Sequence, residues 1–194
     1  MGFLSVLSCA HQWIGSRLQP GDFAIDATVG TGADTLFLAK QVGQRGQVIG
    51  FDIQNEALML AQARIRKHAD SSKLGSISMM ELSHARMAEA VPDAWIGNVG
   101  AIMFNLGYLP AEGADASIIT ETTSTIVALE AAMMLLRPRG MITVVLYPGH
   151  EGGAQEADAV STWAAALPVE QAQVVMYRQL QRKTSPYLIG IEKK

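Results

Sequence analysis

Phe23-Ala24-Ile25-Asp26-Ala27-Thr28-Val29-Gly30-Thr31-Gly32-Ala33-Asp34-Thr35, with Gln47-Val48-Ile49-Gly50-Phe51-Asp52 downstream, is the stretch that decides the fold of this chain. It reads as a buried strand, a glycine loop, a helix and a second strand that ends on Asp52. Glycines between strand and helix let the backbone approach a ligand closely. An acid at the end of the second strand suits the two hydroxyls of a ribose. The unit is therefore expected to hold a nucleoside-bearing cofactor.

Which cofactor follows from where the acids and glycines fall. A dinucleotide site takes G-x-G-x-x-G, but here Thr35 stands at the third glycine. No Gly-Lys-Ser/Thr is present in this loop, so it is not a phosphate-cradling P-loop. Asp26 precedes Gly30 by four residues, and an acid there repels a pyrophosphate. It suits a cofactor with an ammonium tail, which points to S-adenosylmethionine (SAM). Asp26-x-x-x-Gly30-x-Gly32 with Asp52 resembles the first two motifs of class I SAM-dependent methyltransferases. A Rossmann oxidoreductase is the rival class, and a βαβ unit without cofactor is the plainer alternative.

The remainder of the chain fits one domain spanning residues 1–194, its N-terminal helix within residues 1–20 included. Apolar residues make up 49% of the sequence, enough for a sizeable core. The net charge of -3 argues against a strong non-specific nucleic-acid binder, though not against an enzyme with one local basic patch. Cys9 is the sole cysteine, which excludes an intramolecular disulfide and fits a reducing cytoplasm. The apolar N-terminus lacks a basic segment and is not expected to be a signal peptide, and no stretch is apolar enough to span a bilayer.

Helical periodicity marks Ser5–Leu18, Ala33–Val42, Asn55–His68 with Asn55 as its cap, Glu121–Leu136 and Ala154–Leu167. On the fourth, Ile126, Leu129, Ala132, Met133 and Leu136 form the expected inner side, and Arg137-Pro138-Arg139-Gly140 ends it. Strands are expected at Phe23–Ala27, Gln47–Asp52, Ser76–Met80, Val99–Phe104, Met141–Leu146, Ala172–Gln179 and Tyr187–Ile191. The last two are too close for a crossover and must be antiparallel. The expected architecture is α/β and Rossmann-like: a seven-stranded, mostly parallel sheet with one antiparallel strand and helices on both faces.

Three further segments fall at strand ends that face the ligand crevice of such a sheet. After the fourth strand, Asn105-Leu106-Gly107-Tyr108 resembles the Asn/Asp-Pro-Pro-Tyr motif of amino-group methyltransferases. The Asn105 side chain and the Leu106 carbonyl are suited to accept N–H groups of an amine and aim its lone pair. The same groups stabilise positive charge growing on nitrogen. Tyr108 would pack against the acceptor. His84, after the third strand, either borders an adenine or starts a helix as a structural residue. Tyr147 and His150, after the fifth, either meet substrate or belong to an exposed turn. His11 reads as a surface or capping residue, and no His or Cys pair has metal-ligand spacing.

Along nearly its whole length the chain resembles the bacterial "putative rRNA methylase" family. Members are identified as transfer-RNA wobble-uridine methyltransferases that convert 5-aminomethyl-2-thiouridine to its methylaminomethyl form. The resemblance rests on Asp26-Ala27-Thr28-x-Gly30-x-Gly32-x-Asp34-Thr35-x-Phe37-Leu38-Ala39, Gly50-Phe51-Asp52-Ile53-Gln54 and Phe104-Asn105-Leu106-Gly107-Tyr108-Leu109-Pro110. Thr123-x-Thr125, Tyr147-x-Gly149-His150 and Ile191-Glu192-Lys193 extend it. Thr31 and Ala33 depart from the family pattern, as does Leu180-Gln181-Arg182-Lys183-Thr184-Ser185-Pro186.

The resemblance implies SAM as cofactor, bound by Asp26, Thr28, Gly30, Gly32, Asp34, Thr35, Asp52, Gln54, His84 and Asn105. It implies catalysis by Asn105, Leu106 and Tyr108, and substrate contacts by Tyr108, Tyr147, His150, Arg182 and Lys183. Arg182 and Lys183 would meet phosphates, or else form a solvated loop pair. The implied partner is the anticodon arm of a transfer RNA, with a homodimer left open. Ribosomal RNA, a small-molecule amine and cofactor binding without transfer stand as alternatives.

Overall fold

The computed structural model describes residues 2–68, 73–107, 120–149, 152–182 and 184–194. Its strands are β1 (Phe23–Asp26), β2 (Gln47–Asp52), β3 (Ser76–Glu81), β4 (Val99–Asn105), β5 (Leu136–Leu146), β6 (Ala172–Arg178) and β7 (Tyr187–Lys193). Its helices are α1 (Val6–Gly15), α2 (Ala33–Val42), α3 (Asn55–His68), α4 (Met87–Ala90), α5 (Thr122–Leu135) and α6 (Gly153–Ala165). The strands form one sheet in the order β3-β2-β1-β4-β5-β7-β6. Only β7 runs against the rest, pairing antiparallel with both β5 and β6. The expected sheet and its single reversed strand are therefore present.

Alternation along the strands divides the core between two faces. On one face Ile25, Phe51, Ile102, Phe104, Ile142 and Val144 pack with Leu129, Leu135 and Val160 from α5 and α6. On the other, Ala24, Val48, Ala101, Met103, Val145 and Leu188 pack with Ile14 of α1 and Leu38 and Val42 of α2. Small residues on that second face permit close approach. A Cβ on Gly190 of β7 would lie 2.6 Å from the Trp13 ring of α1. Helix α1 starts with Ser5, whose hydroxyl accepts the Ser8 N–H at 3.1 Å, satisfying one free donor of the first turn.

Four local expectations change. Asn55 is not a cap but the first residue of α3, and its Nδ2 donates to Glu81 at 2.8 Å. The Gln54 carbonyl accepts the first helical amides, while Asp52 holds the Gln54 N–H at 2.9 Å. The buried side of α5 is Thr125, Ala128, Leu129, Ala132 and Leu135. Ile126 and Met133 are half-buried at its margin, and Leu136 belongs to β5. Arg137-Pro138-Arg139-Gly140 does not end α5, which stops at Leu135, but forms a bulge within β5: Val99 pairs with Leu136 and Ala101 with Met141. Arg139 takes a left-handed φ of 64° there, a conformation costly for a residue with a side chain.

From β1 the chain builds outward through β2 and β3, then returns to place β4 and β5 on the other side. The reversal lies between β1 and β4, and open α/β sheets bind ligands at the carboxyl ends of strands at such a point.

Candidate active site

The floor of the crevice is the loop between β1 and α2. Gly30 and Gly32 adopt left-handed φ values of 50° and 77°. At Gly32 no side chain fits, because a Cβ would lie 2.6 Å from the Ala61 Cβ of α3. The loop is tied to β2 by Val29 N–H to the Phe51 carbonyl at 3.0 Å. Gly30 N–H donates to Asp52 Oδ2 at 2.9 Å. Asp52 thus holds one backbone amide of the glycine loop and, through Oδ1, one at the start of α3. A carboxylate offers about four acceptor sites, so this half-buried side chain retains capacity for ligand hydroxyls.

Asp26 lies completely buried behind the loop. Thr35 Oγ1 donates to its Oδ2 at 2.5 Å, and Thr28 N–H reaches Oδ1 at 3.2 Å. Burial, then the neighbouring Asp34 carboxylate, pushes the Asp26 carboxyl up to about 7, against those two hydrogen bonds; Asp52 adds a smaller push. Three acids gather around one glycine loop, a setting in which a cationic ligand group is favoured. Asp34, in the first turn of α2, meets His11 Nε2 at 2.6 Å. The His11 ring stacks on Phe37 with centroids 4.0 Å apart. Helix α1 is thereby fixed against the cofactor-side loop, so His11 is neither a free surface residue nor a cap.

His84 starts a short 3-10 turn after β3, with Ser83 as its cap. Its ring is buried, edge-on to Phe104 with centroids 6.0 Å apart. One ring nitrogen bonds to the Ala27 backbone. The Ala27 N–H is already given to the Met103 carbonyl at 2.8 Å, so the ring donates to the Ala27 carbonyl. Burial lowers the imidazole pKa and favours the neutral ring. The residue starts the turn, and its buried Nε2 has no hydrogen-bond partner among the described residues.

Asn105 is the last residue of β4, and its N–H donates to Thr28 Oγ1 at 2.7 Å. Leu106 N–H goes to the Val145 carbonyl at 3.0 Å, and the Leu106 side chain is buried. Gly107 N–H goes to Thr120 Oγ1 at 3.1 Å. Three successive amides are thus held by the glycine loop, β5 and the segment leading into α5. Tyr147 follows β5 and packs on the core of the α1 side. The turn between β6 and β7 lies beside it, since a Cβ on Gly149 would be 3.1 Å from the Thr184 carbonyl oxygen. Exposed Arg182 belongs to that turn. Tyr108, His150 and Lys183 lie outside the described residues. Among the described residues no three His, Cys, Asp or Glu are grouped to hold a metal.

The site brings together Asp26, Thr28, Gly30, Gly32, Asp34, Thr35, Asp52, Gln54 and Asn105. Sequence reasoning missed His11, Thr120 and Glu156. For Glu156 a signal existed. It shares a helical face with Val160 and Ala164, at spacings of four, and an acid on an apolar stripe needs buried partners.

Residues 48–192 match the model of a family described as "Putative rRNA methylase". The chain belongs to this family. A crystal structure of a "putative rRNA-methylase" from Clostridium thermocellum is 33% identical, covers the whole of both chains and superposes with a TM-score of 0.91. A "putative methyltransferase" from Streptococcus mutans, solved in complex with SAH, is 27% identical over the whole of both chains, with a TM-score of 0.84. The fold of the family is that of Rossmann-like class I methyltransferases. The chloroplastic tRNA (mnm(5)s(2)U34)-methyltransferase of Arabidopsis thaliana is 36% identical over 182 residues, which is 91% of this chain. The match spans 65% of the Arabidopsis protein's own length.

Proposed function

We propose that this family member is a SAM-dependent methyltransferase acting on the exocyclic amine of 5-aminomethyl-(2-thio)uridine at the transfer-RNA wobble position. The observation that carries the reading is the Asn105 N–H bond to Thr28. It sets the loop suited to an amine directly against the loop suited to the cofactor. The whole of residues 1–194 acts as one catalytic domain. In this reading the chain works where transfer RNA is modified, the cytoplasm, and the family's chloroplastic relative performs its reaction in another compartment.

The residues present fit SAM. The buried acid Asp26 and its neighbour Asp34 favour an ammonium group nearby, the Gly30–Gly32 backbone permits close approach, and Asp52 takes the ribose hydroxyls. When bound, SAM supplies an electrophilic methyl carbon. The protein's task is then mainly orientation, worth several powers of ten when reactants are held in a near-attack geometry. The Asn105 side-chain carbonyl and the Leu106 backbone carbonyl accept the two N–H groups of a neutral amine. Its lone pair is left pointing at the methyl carbon. Positive charge then growing on nitrogen meets fixed carbonyl dipoles. Tyr108 packs against the uridine. Tyr147, His150, Arg182 and Lys183 contact the anticodon loop, whose unstacked bases are accessible to a protein.

The test is methyl transfer from labelled SAM to transfer RNA carrying 5-aminomethyl-2-thiouridine, read by nucleoside mass spectrometry, with ribosomal RNA and small amines alongside. Formation of the methylaminomethyl nucleoside is the expected result. Transfer only to ribosomal RNA or a small amine would remove the wobble assignment, and SAM binding without transfer to any acceptor would remove the enzyme.

A further inference from the structure

Glu156 is a buried carboxylate in the first turn of α6. It receives two hydroxyls. Thr120 Oγ1 donates to Oε2 at 2.7 Å, and Thr125 Oγ1 donates to Oε1 at 2.7 Å. Thr120 is also bound twice to Gly107: its hydroxyl oxygen accepts the Gly107 N–H at 3.1 Å, and its own N–H donates to the Gly107 carbonyl at 3.0 Å. Because the Thr120 hydroxyl hydrogen is committed to Glu156, a hydroxyl lone pair is left facing Gly107. The chain runs Gly107, Thr120, Glu156, and each link fixes the polarity of the next.

Resting on the functional reading above, we propose that Glu156 is a positioning residue for the acceptor loop, acting through Thr120. Gly107 and Thr120 lie near opposite ends of the segment between β4 and α5. Glu156 clasps Gly107 and Thr120 and so sets where Asn105 and Leu106 stand relative to the cofactor loop. Thr125, on the other carboxylate oxygen, ties α5 to α6 without touching Gly107. The two threonines therefore separate a positioning role from ordinary helix packing.

The experiment compares Thr120→Val, Thr120→Ser, Thr125→Val and Glu156→Gln in the full chain. Four readouts are taken: kcat and KM for methyl transfer, SAH affinity by calorimetry, thermal melting, and amide exchange of peptides covering residues 105–107. Thr120→Val should lower kcat by about 100-fold, leave SAH affinity unchanged and speed exchange at Gly107. Glu156→Gln should act in the same direction, because it sets an amide donor against a hydroxyl donor. Thr120→Ser should restore both activity and protection, and Thr125→Val should lower the melting temperature with kcat retained. The proposal is overturned if Thr120→Val keeps its kcat and its Gly107 protection. It is equally overturned if Thr120→Val and Thr125→Val lose activity in parallel with their melting temperatures. Should the wild type transfer methyl to no acceptor, the functional reading fails, and exchange at Gly107 still decides whether the clasp exists.

Discussion

The Thr28 hydroxyl oxygen accepts the Asn105 backbone N–H at 2.7 Å, joining two loops whose residues stand 77 apart in the chain. This contact fixes the end of β4 to the glycine loop at the strand-order reversal. Replacing Thr28 with Val removes the acceptor while keeping the volume. We expect kcat for methyl transfer to fall about 10- to 100-fold through misplacement of Asn105. Thr28→Ser should retain most of the rate. Equal activity of the Val and Ser variants would show that the contact does not position the acceptor.

Asn105 itself tests the chemistry. Asn105→Ala removes the side-chain carbonyl but leaves the N–H that binds Thr28. A preorganised group of this kind contributes about 10²–10³ in kcat. The expected pattern is that loss with SAH affinity nearly constant, measured by steady-state kinetics and calorimetry. An undiminished kcat would mean that another group orients the amine.

Asp26 gives a pH dependence with a definite sign. Its carboxyl is raised from 3.8 to about 7 by burial and Asp34, so the folded protein binds a proton that the unfolded chain releases. The stability this confers is complete below about pH 4 and is lost as pH rises through about 7. His84, lowered by burial, works in the opposite sense, losing stability as pH falls. Subtracting the melting curve of Asp26→Asn from that of the wild type between pH 4 and 8 isolates the Asp26 contribution. A flat difference would contradict the assignment. A cationic ligand group near Asp26 should also expel its proton. SAM binding at pH 6 is therefore expected to show a calorimetric heat that varies with buffer ionisation enthalpy, and to lose that variation above about pH 8.

Gly32 is constrained twice, by its φ of 77° and by the 2.6 Å that would separate a Cβ from Ala61. Gly32→Ala should destabilise the fold by about 1–3 kcal/mol. For a chain of this size that is a fall of roughly 2–12 °C in melting temperature. Adding Ala61→Gly removes the Cβ contact but leaves the Ala61 Cα at 2.7 Å and the backbone strain, so only partial recovery is expected in the double variant. Full recovery would show that the Ala61 Cβ contact alone matters.

The cofactor half of the site was legible because its signals are local. The glycine loop, the boundaries of α2 and β2, and Asp26, Thr35 and Asp52 follow from residues close in the chain, where periodicity and turn chemistry operate. The contacts that complete the site were not legible in this way. His11 finds Asp34 across 23 positions, and Glu156 finds Thr120 across 36; no local pattern encodes which buried acid meets which donor. Asn55 shows the converse failure. A good capping residue was present, but the Gln54 carbonyl had already taken the Ala57 and Leu58 amides that a cap at Asn55 would serve. The bulge at Arg137–Gly140 shows that a Pro/Gly break signal does not say whether it ends a helix or interrupts a strand.

Strand β7 lies between β5 and β6 yet follows both in the chain. During synthesis, β1 to β4 can assemble as soon as β4 emerges from the ribosome, because their mutual pairings need no later strand. β5 can then add to β4, but β6 must wait, since β7, the strand it pairs with, is translated last. Order should therefore spread from the cofactor-side strands toward β6, with the non-local pairings formed late. Pulse-labelled hydrogen exchange during refolding would report this as protection of β1 and β4 amides before those of β7. Simultaneous protection of all three would instead mean that the sheet condenses as one unit.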